Sequence, residues 1–129
     1  MARKGWSKSL SGFAREVEAE QNKRLRATAL QALSGVIERS PVDTGHFRGN
    51  NIVSVGAPDS DIDEMAEDES GTETLAQGMS IIGRVTNAFD VIYIQNNLPY
   101  AEKLENGSST QAPAGVYAIT FDNLRAQNT

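Results

Sequence analysis

From Ser9 to Arg39 the chain carries no proline, and the only two glycines in the run, Gly12 and Gly35, lie near its ends. Pro41 closes it, because proline disfavours helical geometry in the residue before it. The reading is one helix of about thirty residues, roughly 45 Å long at 1.5 Å per residue and longer than a small domain is wide. Its apolar pattern is divided. Leu10, Phe13, Ala14 and Val17 make one stripe, and Leu30, Leu33, Val36 and Ile37 make another. Between them EAEQNKR, residues 18–24, holds no large apolar side chain. A helix buried along its whole length keeps its stripe throughout. One end is therefore expected to pack on the protein's own body and the other on something else. The competing reading is a helix broken near Gln21–Asn22 that folds back on itself.

The rest of the chain alternates short elements with turns. In SPVDTGHFRGN, residues 40–50, Pro41 and Gly45 bracket Asp43 and Thr44, whose side chains suit a turn. Asn51 to Val55 reads as a short strand, ended by Gly56 and Pro58. Residues 59–70 hold seven acids and are expected to form a mobile acidic loop. Asp59, Asp61 and Asp63 fit the first ligand positions of a calcium loop. Glu64 stands where that loop needs glycine, however, and Ser70 where it needs a bidentate Glu. Thr72 to Gly83 is expected to be helical, with a strand over Met79–Val85 as the alternative for its end. Val91 to Ile94 is nearly all apolar and is expected to be a central strand.

Residues 93–117, YIQNNLPYAEKLENGSSTQAPAGVY, concentrate backbone-shaping residues. Pro99 suits the first position of a short helix over PYAEKLEN, with Ala101 and Leu104 inward and the carboxylates of Glu102 and Glu105 toward solvent. Asn106-Gly107 stops that helix. Residues 108–115 are a loop, and Val116 to Phe121 is expected to be a final strand, followed by a last helical turn or a tail. The fold class is α+β. A long N-terminal helix packs on a small, mostly antiparallel sheet with short additional helices. The whole of 1–129 forms one domain, with 1–8 a flexible N-terminus.

Composition excludes much chemistry. With no cysteine there is no disulfide framework, thiolate metal site or cysteine nucleophile. No apolar run approaches the ~18 residues of a membrane span, and the basic start lacks the apolar core of a secretory signal. The single His46 sits in a turn with no spacing that singles out a partner Ser and Asp, which leaves a small hydrolase as an outside option. No phosphate-cradling glycine motif occurs. Residues 1–50 carry nine Lys/Arg against five Asp/Glu, and residues 51–129 three against twelve. The plain reading of this asymmetry is a solvated surface, and the sharper one is a polar molecule that stacks or rings head to tail, basic end against acidic end. The alternative is a nucleic-acid-binding accessory protein using Arg3, Lys4, Lys8 and the Lys23–Arg26 cluster.

Two motifs, SPVDTGHFRGN and YIQNNLPYAEKLENGSSTQAPAGVY, follow a long N-terminal helix in this order. Together they resemble the neck and tail-completion proteins of long-tailed bacteriophages, with the minor tail protein Z type as more distant kin. The resemblance covers about residues 10–122. It implies a virion structural protein, made in the bacterial host cytoplasm, at the head-proximal end of the tail. There it would complete the tail and help head–tail joining. The implied partners are other copies of itself in a ring, most simply a hexamer, and the tail terminator, tail-tube or head-connector proteins. Genomic DNA would pass through the ring, with no specific nucleic-acid contact, membrane, catalysis, metal or cofactor. The interface residues that the motifs imply are Asp43, Thr44, Gly45, Phe47, Arg48, Asn97, Pro99, Tyr100, Glu105, Gly107, Gln111, Pro113 and Gly115. The chain departs from the pattern near His46, where relatives often carry a basic residue, and near Asn51, where they often carry an aromatic one.

Overall fold

The second apolar stripe of the long helix is the place where two cores meet. The structure, a computed structural model, describes residues 2–107, 109, 111–112 and 115–127, and side chains from Ser11 onward. Helix α1 spans Ala2–Arg39. It starts ahead of the predicted Ser9 and runs unbroken, so the folded-back alternative is overturned. Leu33 and Val36 of α1 are both fully buried, and they serve different clusters. Ala29, Leu33 and Ile37 pack with Val53 and Ile82, and with the half-buried Leu75, Ile81, Ile92 and Ile94. Val36 packs with Phe47, Leu98, Ala112 and Val116, and with Ala101, Leu104 and Tyr117 at the margin.

The remaining elements are α2 (His46–Gly49), β1 (Ile52–Val55), α3 (Thr72–Ile82), β2 (Ile92–Gln95), α4 (Ala101–Glu105) and α5 (Tyr117–Gln127). The fold is α+β, with the long helix packed against a small antiparallel sheet and short helices. β1 and β2 pair with Val53 opposite Ile94 and Ile52 opposite Gln95. Among the described residues the sheet has two strands. β2 is therefore not the central strand expected from its apolar run. Its isoleucines are half-buried and line a groove of about 590 Å³ with Ala29 and Ala32 of α1 and with Phe121 and Leu124 of α5. Ile92 and Ile94 pack at the margin of the Leu33 core, and Val91 is 53% exposed.

The polar waist of α1 has a function in this packing. Asn22 is buried and its Nδ2 donates to the Val85 carbonyl at 3.1 Å, while Arg26 donates to the same oxygen at 3.2 Å. The edge of the body is thus held to the rod by hydrogen bonds. Above this point the rod is bare. From Ser11 through Gln21 every residue except Gly12 is exposed, and Phe13 and Val17 keep 63% and 42% of their surface. Phe13, Ala14 and Val17 of the first stripe are accordingly exposed, as the separation of the two stripes in sequence implied.

Three expectations are corrected. Val116–Phe121 is not a strand, and from Tyr117 on it is the start of helix α5. Val116 and Thr120, four residues apart, are the buried pair (0% and 2%), a helical spacing that the apparent alternation disguised. The start of α5 is stabilised from outside by Glu105, whose Oε1 accepts the N–H groups of Val116 and Tyr117 and whose Oε2 accepts that of Ala118. Glu105 is therefore turned inward as a cap and does not face solvent. Pro99 lies before the Tyr100 N-cap and is not the first residue of α4. α3 runs to Ile82 with Gly83 as its C-cap, so Met79–Val85 does not form the alternative strand. Among the described residues no helix is long and apolar enough to cross a membrane.

Gly78 sets how closely α3 approaches α1 and β1. A Cβ there would run into the Leu33 side chain and meet Val53 Cγ2 at 3.0 Å. Gly78→Ala is expected to destabilise the fold by about 1–3 kcal/mol through overpacking. Gly12, with open space around it, tolerates alanine with a gain of at most ~1 kcal/mol from helix propensity. Chemical denaturation of the two variants beside the parent checks both signs.

Candidate functional site

Antiparallel pairing brings two distant asparagine pairs together. Asn50-Asn51 precedes β1 and Asn96-Asn97 follows β2, and with Ile52 opposite Gln95 the next position out sets Asn51 against Asn96. Asn51 is 4% exposed and makes four contacts. Its Nδ2 donates to Ser40 Oγ and to the Arg48 carbonyl, each at 3.0 Å. Its Oδ1 accepts the Tyr117 hydroxyl at 2.6 Å and Asn96 Nδ2 at 3.3 Å. That uses the full capacity of an amide side chain. Burial, and then the Glu105 carboxylate nearby, push the Tyr117 pKa well above the ordinary phenol value, so its hydroxyl remains a donor. Asn96 also donates to the Phe47 carbonyl at 2.8 Å. The end of α1, α2, β1, the turn after β2 and α5 converge on this amide cluster.

The first motif is held by backbone contacts. Gly45 has φ 84°, and a Cβ on it would lie 2.6 Å from the backbone nitrogen of Asp68, so only glycine fits this left-handed, closely approached position. Its carbonyl accepts from Gly49 N and Asp68 N. Arg48 donates to the carbonyls of Glu69, Ser40 and Glu38. His46 Nδ1 lies 2.9 Å from the Ala66 carbonyl, which can only accept, so that nitrogen carries its proton. Asn50 and Asp63 exchange hydrogen bonds, and Asn97 donates to the carbonyls of Asp59 and Asp61. The acidic stretch 59–70, expected as a mobile loop, has no regular structure but is tied to the turn at several points along its length.

Asp68 has a different task from its acidic neighbours. Its Oδ2 accepts the N–H and hydroxyl of Thr74, both at 2.7 Å, and its Oδ1 accepts Gly71 N at 3.1 Å. Burial acts to raise its pKa, but the hydrogen bonds from Thr74, Gly71 and Glu73 outweigh it and hold the carboxyl below 3.8. The second motif carries its own clamp. The Gln111 side chain accepts Val42 N at 2.7 Å and donates to Val42 O at 3.2 Å, joining the loop after α4 to the first motif.

These contacts sort the interface residues expected from sequence. Gly45 and Phe47 are buried, as is Gly115 (φ 83°), and Arg48, Asn97, Glu105 and Gly107 are half-buried. These serve as framework. Asp43, Thr44, Pro99, Tyr100 and Gln111 are exposed. Pro113 lies outside the described residues. The exposed group is brought together: Gln111 clamps Val42, and Tyr100 stacks on Phe47 with ring centroids 6.0 Å apart. Burial, and then the Asp43 carboxylate, raise the Tyr100 pKa. Chemically, this surface offers an aromatic ring, a carboxylate and amides on a backbone held from beneath, which suits a contact with another protein.

Comparison with family models, curated proteins and solved structures gives no match.

Sequence reasoning missed Ser40, Asn50, Asn51, Asn96 and Tyr117 as the structural centre. The available signal was the matched Asn-Asn pairs flanking two apolar runs, since paired strands bring their outer neighbours together. Asp68→Asn is expected to lower stability by about 1 kcal/mol at pH 7 as the charged cap is lost. Because the folded-state pKa is depressed, this contribution is present above the unfolded value of 3.8 and is lost as pH falls through the folded value. Urea denaturation of both proteins from pH 7 down to pH 3 should show the difference narrowing at the acid end.

Proposed function

We propose that the chain is a non-enzymatic structural protein of a phage virion. It acts at the head-proximal end of the tail, completing the tail and helping a DNA-filled head to join it. Its partners in this reading are copies of itself in a ring, most simply sixfold, and the terminator, tail-tube or connector proteins that the ring meets. The observation that carries the reading is that the two resembling motifs, far apart in sequence, fold into one unit through Asn51, Asn96, Tyr117 and the Gln111–Val42 clamp. That unit displays Asp43, Thr44, Pro99 and Tyr100 on its outside. The exposed Phe13 and Val17 of α1 add a second apolar surface. The carboxylates of Glu105 and Asp68 and the amides of Asn50, Asn51, Asn96 and Asn97 serve helix caps and turns. The nucleic-acid alternative has a weaker footing, since Arg24 pairs with Glu20 at 3.6 Å and Arg26 is bound to Val85.

Tyr100→Ser with Asp43→Lys changes the displayed surface. It is expected to leave a folded subunit and to weaken the assembly contact by about 2 kcal/mol or more. In a phage carrying the variant, electron microscopy of lysates should show unjoined tails and filled heads. A normal yield of joined, infectious particles would count against the reading.

A further inference from the structure

We propose that two copies of the chain pair across a two-fold axis, Phe89 of each entering the groove between α1, β2 and α5 of the other. The inference goes beyond the ring reading and does not rest on it. A ring needs contacts between unlike surfaces, whereas this contact joins like to like.

Phe89 is the knob of this contact. It keeps 85% of its surface exposed, on a turn that is fixed at both ends. On one side the Val85 carbonyl is bound by Asn22 and Arg26 of α1. On the other the Val91 carbonyl accepts Gly56 N at 2.8 Å. Between them Asn87 closes the turn, its Oδ1 accepting Phe89 N at 2.9 Å and its carbonyl accepting Asp90 N at 3.0 Å. The ring is thus held outside its own subunit's groove, and docking orders little that is not ordered beforehand. The groove, of about 590 Å³, is the hole. Leu25, Ala29, Ile92, Ile94, Phe121 and Leu124 give it apolar walls. Val91, two residues beyond Phe89 and 53% exposed, belongs to the same wall.

Knob and hole adjoin on one surface, which is the condition for a two-fold contact, where residue i meets j and j meets i. The charges obey the same symmetry. Asp90 follows Phe89 in sequence, and Arg125 lines the groove that the ring would enter. Within its own subunit Arg125 pairs with Asp122 at 3.8 Å, both side chains largely exposed. Asp90 is in neither of the ion pairs found among the described residues. Across the axis each Asp90 meets the other copy's Arg125, so one apolar insertion and one opposite-charge pair form twice. A foreign segment would have to bring an aromatic ring followed by a carboxylate, and this chain already presents both. Two buried phenylalanines remove roughly 300–500 Å² from water. The walls they cover lose a similar area, and together these reach about half of the roughly 1,200–2,000 Å² of a stable interface. Val91 and the charged rim lie where the remainder is needed.

The test is sedimentation equilibrium and native mass measurement on the full chain, with no other protein present. The parent is expected to associate and to stop at two copies. Phe89→Ser removes the knob, and Thr28→Trp fills the groove from an exposed position on its wall. Each is expected to weaken the dimer by at least about a hundredfold, with circular dichroism and urea midpoint unchanged because both sites are exposed. Asp90→Arg and Arg125→Asp should each weaken it about tenfold, and the two changes combined in one chain should restore it, since the pair re-forms with its signs exchanged. Should one variant lose its fold, the others decide the matter. A parent that stays monomeric overturns the proposal, as does a dimer that survives both Phe89→Ser and Thr28→Trp. Association that grows past two copies and ignores Phe89 overturns it as well and leaves the ring reading untouched.

Discussion

The Asn51 side chain ties together more of this protein than any apolar contact does. Two donors and two acceptor lone pairs are spent on Ser40, Arg48, Asn96 and Tyr117, which belong to four different stretches of chain. Each such bond contributes a modest net amount, about 0.5–1.5 kcal/mol. Removing the amide leaves several buried groups unpaired at once, and that asymmetry makes the cluster a strict requirement. The cluster also selects one strand pairing. A slip in register would part Asn51 from Asn96 and turn Val53 away from Ile94.

From that centre the architecture follows in order. The amide cluster joins α2 and the end of β2 to the C-terminal part of α1, and Glu105 begins α5 so that Tyr117 reaches Asn51. The two apolar clusters then fill adjacent parts of one face of α1 around Leu33 and Val36. Nothing in this arrangement needs the N-terminal part of the rod. Past the hydrogen bonds of Asn22 and Arg26 to Val85, the described side chains of α1 from Phe13 to Gln21 are all exposed. The same chain thus holds a rigid body and a projecting arm.

The long helix, its bare first stripe, α3 and both strands were legible from periodicity, because each shows a sustained pattern over its own residues. What periodicity could not show were interactions between segments. Val116–Phe121 alternates like a strand, and from Tyr117 on it is helical because a carboxylate eleven residues upstream, Glu105, caps it. The run Val91–Ile94 reads as central, although it pairs on one edge only and its isoleucines stay half-buried beside a groove. The acidic stretch reads as mobile from charge alone, since the bonds that hold it come from Asn50, Asn97 and Gly45. Of the candidate site, the glycines and the turn were visible, whereas Asn51 carries no local signal beyond its place beside a strand.

The central claim is that Asn51 and Tyr117 couple the first motif to α5 as one cooperative unit. A double-mutant cycle with Asn51→Ala, Tyr117→Phe and the combined variant, read by urea denaturation, tests it most directly. A coupling energy of about 1 kcal/mol or more is predicted for residues sharing a buried network. Stability losses that add within ~0.3 kcal/mol, as for independent sites, would contradict it.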